Sequence, residues 1–381
     1  MKKIFYWSPY LTNVATIKAV INSIKSIKKY SKDYEPILIN SCGEFEDYKK
    51  ELKKLDIKII DLVYFNYYKF LPTKGFLKSR FSFLIIFIIS FIPLLILIKL
   101  KRPNFFICHL ITSLPIIISN IIKANTKFIL RISGLPKYNL FRKFIWKKFG
   151  KNIYKVTCPT NGTVEDLKSN GIFDEKKIFL LKDPIIEIKK ISKLKNEKNE
   201  YCFNNKDYLI LSIGRLTKQK NFIFLVKCFQ QILQIKKKAK LLIIGEGEEK
   251  NEIQNLIEEK NLSNKIILLG YQKNVYKYLK SVDLFVLSSL WEDPGWVLIE
   301  AAACNTLILS SNCKNGPEEF IEKNKGGILF EKNSYKDFIE KFKSLTELNQ
   351  SEIFEKKVFA KKKTKFFTNF NHYQKLNKIL R

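Results

Sequence analysis

The chain has 381 residues, enough for two domains of ordinary size, and 46% of them are hydrophobic, which excludes a disordered chain and allows large cores. Its 69 Lys and Arg against 36 Asp and Glu give a net charge of +33, a bias toward nucleic acid, anionic lipid or phosphorylated small molecules. Seven cysteines (Cys42, Cys108, Cys158, Cys202, Cys228, Cys304, Cys313) lie scattered without a Cys-x-x-Cys pair, which argues against a disulfide framework or a zinc site and fits reduced residues in a cytoplasmic protein.

In chain order, "KIFYW" reads as a strand, and its apolar run is too short for a signal peptide. Ala15 to Tyr30 places apolar residues at 3.6 spacing and predicts a helix. "EPILIN", "KIID", "FFICH" and "KFILRIS" read as further strands. From Leu62 to Val164 there is no Asp or Glu, while the same stretch carries 17 Lys and Arg. Inside it, Phe81 to Ile98 ("FSFLIIFIISFIPLLILI") would make a helix about 27 Å long, with Pro93 within it and Arg80, Lys99, Lys101 and Arg102 at its ends. Three placements stay open for this run: across a membrane, in the plane of its surface, or in a protein core. Spanning would put residues 1–80 and 103–381 on opposite sides, whereas the strand pattern needs both in one sheet.

Around Asp183 and Pro184 the alternation breaks, and residues 186–207 read as a polar linker. The alternation then restarts with "YLILSIG", a helix from Phe222 to Ile235, "AKLLIIG", a helix through "NEIQNLIEE", and the strands "KIILLG", "LFVLSS" and "TLILSS". Strands separated by helices imply right-handed parallel βαβ units, so the prediction is α/β: two doubly wound Rossmann-like domains facing a cleft. They cover residues 1–185 and 208–350, and residues 351–381 form a lysine-rich helix predicted to cross back to the first domain. Ligands of such sheets bind beyond the carboxyl ends of the strands.

Two strand ends carry the chemistry. In "SIGRLTKQKN", Gly214 permits a tight exit, and Arg215 and Lys220 stand five apart on a short loop. A planar fork of donors beside a point charge suits a diphosphate, although two solvated cations would have the same spacing. In "WEDPGWVLIE", the N–H groups of Gly295, Trp296 and Val297 open a helix and form an anion site, with Glu292 before it and Glu300 inside it. Carboxylates beside a phosphate site need hydroxyls to accept from, and a nucleotide-sugar supplies both kinds of group. A third turn, "GEGEEK", lacks the last glycine of a dinucleotide fingerprint and reads as a plain βα turn.

With Glu292 and Glu300 eight positions apart, this segment resembles the Glu-x7-Glu motif of family-4 retaining glycosyltransferases, which have the GT-B fold. "SIGRLTKQKN", "GEGEE", "SSLWEDPGWVLIEAAACNT" and "CPTNGTVEDLKSNGIFDEKKIFLLKDP" are similar to that family's segments, and "CKNGPEEFI" to members acting in lipopolysaccharide core or lipid-linked oligosaccharide assembly. Asn305 and Leu307 stand where the family usually has Gly and Pro. The resemblance implies a donor diphosphate on Arg215 and Lys220, hexose hydroxyls on Glu292, ribose hydroxyls on Glu300, and the base against the backbone of Tyr271 and Gln272. It places His109, at the end of "PNFFICH", toward the transferred sugar, against the alternative of a structural strand-end histidine. Arg131 and Gly134, ending the next strand, are weaker candidates for the acceptor side. The expectation is therefore a retaining hexosyltransferase using a nucleotide-sugar, a UDP-sugar first of all, and a glycan or glycolipid acceptor. It needs no metal, binds no nucleic acid, and sits peripherally on anionic lipid at the cytoplasmic face. The rivals are a basic nucleic-acid-binding protein and an inactive membrane-bound partner of another transferase.

Overall fold

A computed structural model describes the chain except residues 12–14, 73–75, 123–124, 137 and 200–205, and describes residues 76, 77 and 141 by backbone alone. It divides into two compact units, Met1–Pro184 with Asn369–Arg381, and Ile185–Thr368. Cys202 lies outside the described residues, and the other six cysteines are buried and form no disulfide among the described residues.

The first unit holds seven parallel strands: β1 (Lys2–Trp7), β2 (Tyr34–Asn40), β3 (Lys58–Asp61), β4 (Phe105–Cys108), β5 (Lys127–Arg131), β6 (Lys155–Cys158) and β7 (Ile178–Leu180), in the order β3-β2-β1-β4-β5-β6-β7. The order reverses between β1 and β4. Right-handed crossovers therefore send the helices before and after that point to opposite faces of the sheet. Alternate strand residues divide accordingly. Ile4 and Tyr6 pack with the helix Ala15–Tyr30, while Phe5 and Trp7 pack with the helices that follow β3 and β4.

The apolar run forms part of a 26-residue helix, Phe76–Lys101, continuous through Pro93. Ser82, Ile86, Ser90, Leu94 and Ile98, four apart, are buried in this unit. Each of the three apolar ones contributes about 1.5–3 kcal/mol of burial. Leu84, Ile88, Ile92, Ile96 and Leu100, two positions out of phase, stand 49% to 75% exposed on the opposite side. Of the three placements, one stripe thus occupies the core position and the other does not.

The second unit has six parallel strands: β8 (Tyr208–Ile213), β9 (Ala239–Ile244), β10 (Ile266–Leu268), β11 (Leu284–Leu287), β12 (Leu307–Ser311) and β13 (Ile328–Phe330), ordered β10-β9-β8-β11-β12-β13. Its switch lies between β8 and β11, so the loops after these two strands flank the crevice where ligands of such sheets bind. The stretch read as a linker is partly structured. Ile188–Leu194 is a helix, and Asn274 donates to the Leu194 carbonyl at 2.8 Å, so this segment belongs to the second unit. The C-terminal stretch read as one helix is two. Gln350–Lys363, started by a capping box on Asn349 and Glu352, belongs to the second unit. After Thr364–Phe367, the helix Asn369–Leu380 packs on Ala15–Tyr30 in the first unit and buries Leu376, Ile379 and Leu380.

Candidate functional site

The second unit collects the donor-side candidates at one edge of its sheet, since parallel strands present their carboxyl ends together. Gly214 follows β8 and lies under the Lys220 side chain, and a Cβ there would meet Lys220 carbons at 3.0 Å. The "GEGEE" turn braces this loop. Leu216 N–H donates to Glu246 O at 3.0 Å and Glu249 N–H to Leu216 O at 2.9 Å. A Cβ on Gly245 would sit 1.8 Å from the Gly214 carbonyl oxygen. These glycines therefore serve close approach of two backbones, the plain-turn reading, and need no third glycine.

Arg215 is exposed, and its guanidinium makes no ion pair or hydrogen bond among the described residues. Lys220 is engaged. Its ammonium pairs with Glu292, both side chains being largely buried at 13% and 6% exposure. Ser289 Oγ donates to the same Glu292 Oε1 at 2.6 Å, and Ser311 Oγ donates to the Ser289 carbonyl at 2.6 Å. The loops are joined further by Leu290 N–H to Gln219 O at 2.8 Å, and by Ser288 Oγ to Lys220 O at 2.8 Å. The cation loop after β8 and the acidic turn after β11 thus form one hydrogen-bonded body.

The turn ends in Gly295 with φ 87°, a left-handed conformation that favours glycine. It opens the eight-residue helix Trp296–Ala303, whose start carries the positive end of the helix dipole. Trp296 is buried and Val297 half-buried. Glu300 is buried, and Tyr276 donates its hydroxyl to Glu300 Oε1 at 3.0 Å. Burial first, and then the Glu300 charge, push the Tyr276 phenol far above its usual value, so it stays a donor. Tyr271 is exposed beyond β10, while Gln272 donates to Leu269 O at 2.8 Å and accepts from Tyr278 at 3.2 Å. Ser289 and Tyr276 had no signal in the sequence, because a serine at a strand end and a tyrosine in a lysine-rich helix are ordinary.

The remaining candidates lie in the first unit. His109 follows β4, with its N–H on the Trp7 carbonyl at 2.9 Å. Its ring is buried, and among the described residues Nδ1 has no hydrogen-bond partner. Burial, then the Arg131 charge, hold the imidazole neutral, well below its usual value. Arg131 corrects the expectation of an acceptor-side cation. It is 2% exposed, pairs with the buried Asp183 and donates to Leu181 O at 2.5 Å, so its charge is consumed internally. Gly134 occupies a turn with φ 76°. His372 is also buried. Its Nδ1 lies 2.8 Å from the Lys182 carbonyl, which can only accept, so Nδ1 carries the proton. Nε2 then accepts from Ser23 Oγ at 2.8 Å, and Ser23 accepts from Tyr6 at 2.9 Å.

Residues 194–365 match the model of the family described as Glycosyl transferases group 1. An uncharacterized glycosyltransferase of Methanocaldococcus jannaschii is 36% identical over 244 residues, 59% of each chain. The N-acetylgalactosamine-N,N'-diacetylbacillosaminyl-diphospho-undecaprenol 4-alpha-N-acetylgalactosaminyltransferase of Campylobacter jejuni is 33% identical over 209 residues, 55% of each. The chain thus spans somewhat over half the length of these relatives. Among solved structures, Anabaena HepE in complex with UDP superposes with a TM-score of 0.72 at 14% identity, covering 100% of this chain and 99% of that one, a likeness of fold. Most of the second unit's sequence thus matches the glycosyl transferases group 1 model, and the chain's two parallel-sheet units carry the GT-B fold.

Proposed function

We propose that the protein is a retaining glycosyltransferase that moves a hexose, plain or N-acetylated, from a nucleotide-sugar to a lipid-linked or lipopolysaccharide-type glycan at the cytoplasmic face of the membrane. The observation that carries this reading is the body formed at the β8 and β11 ends. Arg215, Lys220, the helix start at Gly295 and two buried acids, Glu292 and Glu300, share one strand-end edge. Cations and the positive end of a helix dipole suit a diphosphate, and the acids suit the hydroxyls on either side of it. Glu300, oriented by Tyr276, accepts from the ribose. Glu292 accepts from the hexose and orients Lys220. The backbone near Tyr271 and Gln272 meets the base, and uridine is favoured because UDP is the ligand held by HepE. The acceptor class follows the Campylobacter relative, whose own substrate is a diphospho-undecaprenol glycan.

In this mechanism a donor phosphate oxygen takes the acceptor hydroxyl proton on the face the leaving group departs from. Arg215 and Lys220 neutralise the charge growing on the leaving diphosphate, which is electrostatic stabilisation already in place before reaction and requires no metal. A panel of UDP- and GDP-sugars, offered with undecaprenyl-diphosphate-sugar acceptors, tests the reading through release of nucleoside diphosphate. One donor should give acceptor-dependent release. Failure to bind any nucleoside diphosphate would overturn it.

A further inference from the structure

The helix Phe76–Lys101 carries more apolar surface than its unit uses. Ile86 packs among Leu11, Cys42, Tyr67 and Leu71, and Leu94 and Ile98 pack with Phe5, Trp7 and Phe106. Ser82 Oγ donates to the Pro72 carbonyl at 2.7 Å. The inner stripe is therefore fastened to the unit from Ser82 to Ile98, along most of a helix about 39 Å long. The helix is long and apolar enough to cross a membrane, but crossing would strip this whole stripe from two core clusters. The outer stripe, Leu84 to Leu100, remains as one continuous exposed apolar strip of a kind that monomers rarely leave bare.

Charge says what covers it. Lys78 and Arg80 precede the strip, Lys99, Lys101 and Arg102 end it, and all five are exposed. The helix Leu140–Phe149 packs into the same core cluster through Ile145 and Trp146. It adds exposed Leu140 and Phe144 together with exposed Lys143, Lys147 and Lys148. Its Arg142 lies close enough to Arg80 for the two charges to repel. No acid occurs between Leu62 and Val164 to offset any of this. A second copy of the chain would bring the same cations against themselves, at +33 per chain. A lipid leaflet with anionic headgroups offers phosphates at the rim and acyl chains beneath, which matches apolar residues interleaved with cations.

We propose that the outer face of Phe76–Lys101, extended by Leu140 and Phe144, inserts in the plane of an anionic lipid leaflet, with Leu84, Ile88, Ile92, Ile96 and Leu100 among the acyl chains and the flanking Lys and Arg at phosphate depth. The insertion deepens the membrane location in the functional reading, on which it rests for its biological setting. Depth is about 5–10 Å, within one leaflet.

The test is co-sedimentation of the full chain with vesicles of phosphatidylcholine containing phosphatidylglycerol, at low salt and in 1 M NaCl. There the screening length shrinks to about 3 Å and only apolar insertion persists. Wild-type protein should bind at low salt and keep a measurable part of that binding in 1 M NaCl. The triple variant Ile88→Glu/Ile92→Glu/Ile96→Glu, on exposed positions, should keep its melting temperature and partition at least about tenfold less in 1 M NaCl. Complete release of wild-type protein in high salt, or equal partition of the variant, overturns the proposal. So does a wild-type dimer that the variant converts to monomer in light scattering, since the face would then join two copies. UDP titration of both forms keeps the two readings apart. Vesicle binding without UDP affinity supports insertion and defeats the transferase, and the reverse result does the opposite.

Discussion

Replacing Glu292 by Ala tests whether the cation loop and the acidic turn form one body. Lys220 is 13% exposed and Glu292 6%, and Ser289 Oγ donates to the same carboxylate at 2.6 Å. Removing the carboxylate leaves a largely buried ammonium without its counter-charge and a buried hydroxyl without its acceptor. Loss of one partner from a buried pair costs about 3–5 kcal/mol. For a unit of this size each kcal/mol lowers the midpoint by about 2–4 °C, so the expected shift is roughly 6–20 °C. Differential scanning calorimetry reads it. The double variant Glu292→Ala/Lys220→Met removes both charges and should lose less than the sum of its single variants. UDP, which supplies negative charge to Lys220, should raise the midpoint of Glu292→Ala by more than that of the wild type. A loss under about 1 kcal/mol, the range of exposed pairs, with additive single variants would refute the reasoning.

Arg215→Ala, at an exposed position, should leave the melting temperature unchanged while kcat falls about 10²-fold or more, and a calorimetric scan beside a turnover assay separates the two. Tyr276→Phe removes the hydroxyl that orients Glu300 and should weaken UDP binding by about 0.5–1.5 kcal/mol with the fold retained, as titration calorimetry would show. His372, whose pKa burial lowers from 6.5 to about 4, gives the first unit a pH dependence. Between these values the unfolded chain binds a proton that the folded one does not, so stability is full above pH 6.5 and falls as pH drops toward 4, by about 3 kcal/mol in all. His109, lowered in the same direction by burial, adds to it. Urea unfolding across that window should show the slope, and His372→Gln should flatten it.

The two sheets were legible because their long strands are bare apolar runs bounded by turns, as in "YLILSIG" and "AKLLIIG". Strands β6, β7 and β13, of three or four residues each, escaped. The C-terminal stretch read as one helix because no Pro or Gly marks its break, which is made by the 3₁₀ turn Thr364–Phe367. At the candidate site, Glu292, Glu300, Gly295 and Lys220 were visible as residue types at strand ends. Their pairing was not, since Lys220 and Glu292 are 72 positions apart. The same distance problem hid the Arg131–Asp183 pair, 52 positions apart, and made a buried internal cation look like a surface one. For the helix Phe76–Lys101 composition alone kept three placements open, because both of its faces are apolar. Only the exposure of each position separates the stripe that packs from the stripe that does not.

The central claim is that the second unit holds a nucleoside diphosphate through Glu300 and the cations beside it. Titration calorimetry of UDP and GDP into wild-type protein and into Glu300→Ala tests it most directly. The ribose hydroxyls lose a charged acceptor in the variant, worth about 1.5–3 kcal/mol, so binding should weaken roughly 10- to 150-fold with one site per chain. Absence of binding to the wild type, or equal affinity of the two proteins, would contradict the account.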